Sequence, residues 1–205
     1  MIFALIPAAG KSTRMGRPKL ALPLGEQSVL ENVIAALRRA QIEHILVVIG
    51  PHVAELAPLA RRAGALVLQL SEETPDMRTT VELGLQWLED WFHPGRQDSW
   101  LLIPADHPAL SSMVVRQLIQ ARRSNPESSI VIPTFLGKRG HPALLDWKHV
   151  TRLRTLRPEE GINHFLRQCT SELIEIPVES DGILLDLDTP EDYQSIARKW
   201  AERRD

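Results

Sequence analysis

Lys11, Arg14, Arg17 and Lys19 crowd the stretch that follows Pro7-Ala8-Ala9-Gly10, itself preceded by the apolar run Met1 to Ile6. Small residues there let backbone amides approach an anion without interference from Cβ atoms, and the cations add charge beside those amides. Together they suit a polyphosphate, with Pro7, Ala8, Ala9, Gly10, Lys11 and Ser12 as the phosphate loop. Asp106 ends a second apolar run, Trp100 to Pro104, and a buried strand that delivers an acid to its exposed end commonly positions a divalent cation. Mg²⁺ is normally held by one or two carboxylates plus phosphate oxygens, so Asp186 or Asp188, two apart in Asp186-Leu187-Asp188, can supply a second ligand beside Asp106.

Two further segments carry polar groups suited to ligands. Thr79 and Thr80 open a helical stretch whose free amides and hydroxyls suit a nucleobase or a phosphate. Gly137-Lys138-Arg139-Gly140-His141-Pro142 reads as a tight hairpin with two cations and a histidine at its tip, placed to touch an acidic acceptor. His141 has no second histidine or cysteine at metal-ligand spacing.

Apolar runs at Ile2 to Pro7, Ile45 to Ile49, Ala65 to Leu70, Trp100 to Pro104, Ile130 to Pro133, Leu173 to Val178 and Ile183 to Leu187 must hold these groups in place. Helical periods separate most of them, at Val53 to Arg62, Thr79 to Trp91, Ser111 to Arg123 and Glu191 to Arg203. Another helix opens at Ser28, where Glu31 three residues on completes a capping box. The last helix has Thr189 as N-cap, Pro190 in its first turn and Asp192 third. Such alternation predicts an α/β fold, a mainly parallel Rossmann-like sheet with helices on both faces, in a single domain over 1–205. Ligands of such sheets bind beyond the carboxyl ends of the strands, where the loop after Pro7, Asp106 and Asp188 are all expected.

Composition narrows the function. A net charge of −2 argues against a sequence-independent grip on nucleic acid, which needs a basic surface. No run approaches the about 18 apolar residues of a membrane span, and Cys169, the single cysteine, excludes an intrachain disulfide. A cytoplasmic protein without membrane or nucleic-acid partners is the expectation. Gly10-Lys11-Ser12 ends like a P-loop, but the first glycine of that pattern would fall at Leu5.

The loop, the acid-ended strand, Gly140-His141-Pro142 and the terminal Asp186-Leu187-Asp188-Thr189-Pro190 together resemble the MobA-like NTP transferases, in particular the molybdenum cofactor cytidylyltransferase-like branch. The branch's loop pattern is met by Ala8, Ala9, Gly10, Ser12, Arg14, Met15, Gly16 and Lys19, and its acid-X-Pro by Asp106 and Pro108. The chain departs from it in having His107 where glutamine is common and Arg78-Thr79-Thr80 where serines are usual.

The resemblance implies transfer of a nucleoside monophosphate from a nucleoside triphosphate to a phosphorylated small-molecule acceptor, with release of pyrophosphate. It implies that Lys19 and Arg14 grip the triphosphate, that Asp106 and Asp188 hold Mg²⁺ or Mn²⁺, and that Gly140, His141, Pro142 and Asp186 face the acceptor. CTP and molybdopterin are the favoured substrates, with a molybdoenzyme as possible client. GTP or UTP, a sugar phosphate or isoprenoid precursor, and a non-catalytic nucleotide- or cofactor-binding chaperone are the alternatives.

Overall fold

The computed structural model describes residues 1–12, 15, 16 and 18–202. Its main sheet runs in the order β10-β7-β9-β6-β1-β4-β5, from Leu173–Pro177 (β10) through Ile130–Phe135 (β7), Ala143–Asp146 (β9), Ser99–Leu102 (β6), Ile2–Ala8 (β1) and His44–Ile49 (β4) to Leu66–Gln69 (β5). Lys138–Arg139 (β8) pairs with β7, and Pro23–Leu24 (β2) with Gln27–Ser28 (β3) forms a separate ribbon. All pairings in the main sheet are parallel except those of β9 with both its neighbours and of β8 with β7.

Alternation along β1 divides the core. Ala4, Ile6 and Ala8 face the layer made by Val29–Arg39 (α1), Leu56–Arg62 (α2), Ser112–Ser124 (α4) and Pro190–Glu202 (α7). Phe3 and Leu5 face the layer of Met77–Phe92 (α3), His149–Leu153 (α5) and Ile162–Gln168 (α6). A central parallel strand covered on both sides has to be apolar throughout, and β1 is. In α3, Gly84 sits against Leu5 and Val48, where a Cβ would lie 2.5 Å from Leu5 Cδ1, so only glycine lets that helix lie so close to the sheet.

The two expected capping arrangements are present, whereas the helix expected from Thr79 opens earlier, at Met77 on an Asp76 cap. Ser28 Oγ accepts from the Glu31 N–H, and Glu31 Oε2 accepts from the Ser28 N–H at 2.9 Å. Thr189 Oγ1 accepts from the Asp192 N–H, while Asp192 Oδ2 accepts from the Thr189 N–H at 2.8 Å. The helix expected from Val53 is shorter: Pro51–Val53 is a 3-10 turn, and α2 begins at Leu56 with Pro58 in its first turn, where a missing N–H costs nothing.

Two expectations are corrected. Ile183 to Leu187 is no strand: Asp181–Leu184 is a 3-10 turn, and the chain beyond it crosses without joining the sheet. Ile183 and Leu187 are buried as core-lining residues of that crossing, which is why the run reads as a strand. The hairpin of 137–142 turns at Leu136 and Gly137, both at positive φ, and His141 lies beyond it on the way into β9. Strand β9, antiparallel between β6 and β7, and helices α5 and α6 carry no clear sequence signal, being only four to seven residues long. Among the described residues no helix is long and apolar enough to cross a membrane.

Candidate active site

Beyond the carboxyl ends of β1, β4 and β6 lies a cavity of about 450 Å³, walled by Pro7 to Ser12, Lys19, His52, residues 73–77, Thr80, Asp106 and Asp188. Each wall comes from a different local cause. The loop leaves β1 at Ala8; beyond it a 3-10 turn, Lys19–Ala21, carries Lys19, whose N–H meets Ser12 Oγ at 3.4 Å. After β6 the Ile103 N–H still donates to the Leu5 carbonyl at 3.1 Å, and Asp106 stands in the turn that follows. Asp188 arrives from the other direction, fixed by the bond from the Leu187 N–H to the Asp106 carbonyl at 2.9 Å and by its own N–H on Asp192 Oδ2 at 3.1 Å.

The three ionic groups meet. Lys19 Nζ donates to Asp106 Oδ2 at 2.7 Å and to Asp188 Oδ1 at 2.8 Å. Burial lowers the affinity of the Lys19 amine for its proton, but the hydrogen bonds and negative charge of Asp106 and Asp188 outweigh burial and hold its pKa above the usual lysine value. An ammonium already gathers two carboxylates around one positive charge. The donors are hard oxygens, the chemistry that suits Mg²⁺ or Mn²⁺. Asp106 and Asp188 therefore fit a divalent cation at this point.

The opposite wall is also charged. Lys11 Nζ lies 2.7 Å from Glu73, whose other oxygen is 2.6 Å from His52 Nε2. The hydrogen bond from Lys11 is the largest influence on the Glu73 carboxyl and helps hold it below the usual glutamate range. Thr80 Oγ1 lies 2.6 Å from Thr74 Oγ1 at the cavity wall. His52 and Glu73 are absent from the sequence reading. Their signal is positional, since each follows a parallel strand at its carboxyl end, β4 and β5.

Other expected residues sit elsewhere. Thr79 donates its N–H to the capping Asp76 carboxylate at 2.7 Å and is not part of the cavity wall. Gly140, His141, Pro142 and the exposed Asp186 also lie outside that wall. His141 is instead largely buried, its ring 4.9 Å from that of His107. Desolvation lowers the pKa of both imidazoles, that of His141 to about 4. Arg14 and Arg17 lie outside the described residues.

A second cluster, His149, Cys169 and Glu172, brings possible ligand atoms within 4.8 Å of one another. It stands at the amino-terminal end of β10, and Lys148 and Arg152 already neutralise Glu172 at 2.8 and 2.5 Å, so a cation there meets two positive charges. The P-loop alternative does not fit, because that motif opens directly into a helix, whereas Gly10 to Ser12 lie in a loop and the first α-helix among the described residues begins at Val29.

An apolar sheet presenting a small-residue loop, a lysine and two remote aspartates at its carboxyl ends defines a nucleotidyltransferase-type α/β domain. The chain belongs to the family of the MobA-like NTP transferase domain, whose model matches residues 4–173. It is 28% identical over 208 residues to the purine catabolism protein PucB of Bacillus subtilis, covering 96% of each chain. It is 23% identical over 203 residues to the molybdenum cofactor cytidylyltransferase of Escherichia coli, covering 98% of each. Among solved structures, Rv0371C of Mycobacterium tuberculosis in complex with manganese has the same fold, with a TM-score of 0.75 at 21% identity over 96% of this chain and 98% of that one.

Proposed function

We propose that residues 1–205 form one nucleotidyltransferase domain that moves a nucleoside monophosphate, CMP from CTP in the first instance, to the terminal phosphate of molybdopterin and releases pyrophosphate. The observation that carries this reading is the meeting of Lys19, Asp106 and Asp188 at the mouth of the small-residue loop. One relative matched over nearly its full length bears the name of a molybdenum cofactor cytidylyltransferase, which supports the reading.

The reaction needs no protein nucleophile, since the acceptor phosphate is already an anion at neutral pH. Its oxygen attacks the α-phosphorus while the bond from that phosphorus to the bridging oxygen of the β-phosphate breaks, and the electron pair leaves with pyrophosphate. The work left to the protein is positioning and fixed positive charge. Amides of Ala9 to Ser12 face the phosphates, and the Lys19 ammonium sits where charge grows on the leaving group. Arg14 is assigned to the same triphosphate. Asp106 and Asp188 would hold Mg²⁺ or Mn²⁺, which supplies positive charge against phosphate oxygens when bound. Thr80 lines the same cavity.

Pyrophosphate release measured with each of the four nucleoside triphosphates, without and then with molybdopterin, tests the reading. Release that requires molybdopterin and is fastest with CTP is expected. Tight nucleotide binding without any release would make the protein a binder and reject transfer.

A further inference from the structure

The Gly140-His141 segment grips the same stretch of chain that delivers Asp188. The Gly140 N–H donates to the Pro133 carbonyl at 2.9 Å, which ties the segment to β7, and the His141 N–H donates to the Ile183 carbonyl at 2.9 Å. A Cβ at Gly140 would lie 2.4 Å from that same carbonyl oxygen and 2.7 Å from Ile183 Cγ1, so only glycine allows the two backbones to meet. From the other side the same turn is pressed on the stretch after Asp106, since a Cβ at Gly182 would lie 2.5 Å from the Ala109 carbonyl oxygen. Four residues past Ile183 the chain bonds to Asp106 through Leu187, and the next residue is Asp188. The His141 ring packs against that of His107, the residue next to Asp106, with its Nδ1 buried and lacking a hydrogen-bond partner.

From this we infer that Gly140 and His141 are positioning residues that set the separation of Asp106 and Asp188, rather than groups that touch the acceptor. Gly140 acts through the backbone of 181–188, and His141 acts through His107 by shape. The inference rests on the reading of Asp106 and Asp188 as the cation ligands, and its test separates the two.

Mn²⁺ binding is followed by electron paramagnetic resonance on the full chain, with metal-free CTP binding and urea unfolding measured alongside. Gly140→Ala is expected to weaken Mn²⁺ binding by at least about tenfold, the scale seen when groups supporting metal ligands are disturbed, with metal-free CTP affinity unchanged. His141→Ala is expected to weaken it by several-fold and His141→Phe to restore it, because the ring supplies packing and not a hydrogen bond. Should Gly140→Ala fail to fold, the two His141 variants decide. Equal Mn²⁺ affinity in wild type, Gly140→Ala and His141→Ala overturns the inference while leaving the site intact. Mn²⁺ binding that is absent in wild type, or unaffected by Asp188→Asn, overturns the underlying reading instead.

Discussion

The backbone N–H of Leu187 donates to the carbonyl of Asp106 at 2.9 Å, so the two carboxylates that meet at Lys19 are fastened to one another by main chain as well as by charge. The backbone of the pair is thus tied together without the lysine, whose ammonium bridges the two side chains. A cation held by the two carboxylates would therefore be separable from the lysine, although both would answer the same negative charge.

Replacing Lys19 with methionine separates them. The variant is expected to lose at least about tenfold in nucleotidyl transfer, about 1.4 kcal/mol of barrier, and to bind Mn²⁺ at least as tightly as wild type because its competitor is gone. Steady-state turnover together with Mn²⁺ titration checks both halves. Weakened metal binding would show that Lys19 organises the carboxylates.

Stability is expected to fall as the solution is acidified below neutrality. Burial lowers the pKa of His141 and of His149 from 6.5 to about 4. Between those limits the unfolded chain takes up protons that the folded chain refuses. Stability is thus fully present above pH 6.5 and is lost as pH falls toward 4, by up to about 1.4 kcal/mol per pH unit for each histidine. Urea midpoints between pH 5 and 7 measure this slope, and His141→Phe should remove its share. A flat profile in wild type would mean that neither ring is desolvated.

At the amino-terminal end of the sheet, Asp146 is buried and receives Arg122 Nε at 2.8 Å and the guanidinium NH2 at 2.7 Å, with Ser99 Oγ at 3.1 Å. Breaking a buried pair from one side leaves the other charge uncompensated. Arg122→Ala is expected to destabilise the chain by about 3 kcal/mol in chemical unfolding, while transfer by the folded fraction stays at the wild-type rate. Lost activity at full stability would show coupling from this end of the sheet to the cavity.

The meeting of the loop, Lys19 and Asp106 at one cavity is legible because each signal is local, small residues beside cations or an acid after an apolar strand, while Asp188 reaches the same place from a run that is no strand. The two capping arrangements, Ser28 with Glu31 and Thr189 with Asp192, were legible for the same reason. What escaped depends on distant chain. Ile183 to Leu187 is as apolar as a strand, yet it is buried by packing across the sheet's end and not by pairing. His141 reads as a hairpin tip in the sequence because nothing nearby reports that Ile183 and His107 will enclose it. His52 and Glu73 are ordinary loop residues until β4 and β5 set them beside Lys11.

Pyrophosphate release with CTP, molybdopterin and Mg²⁺, compared between wild type and folded Asp188→Asn, tests the central claim most directly. Convergence of Lys19, Asp106 and Asp188 on one reacting triphosphate predicts acceptor-dependent release in wild type and a loss of at least about tenfold in the variant. Undiminished release from Asp188→Asn would contradict it.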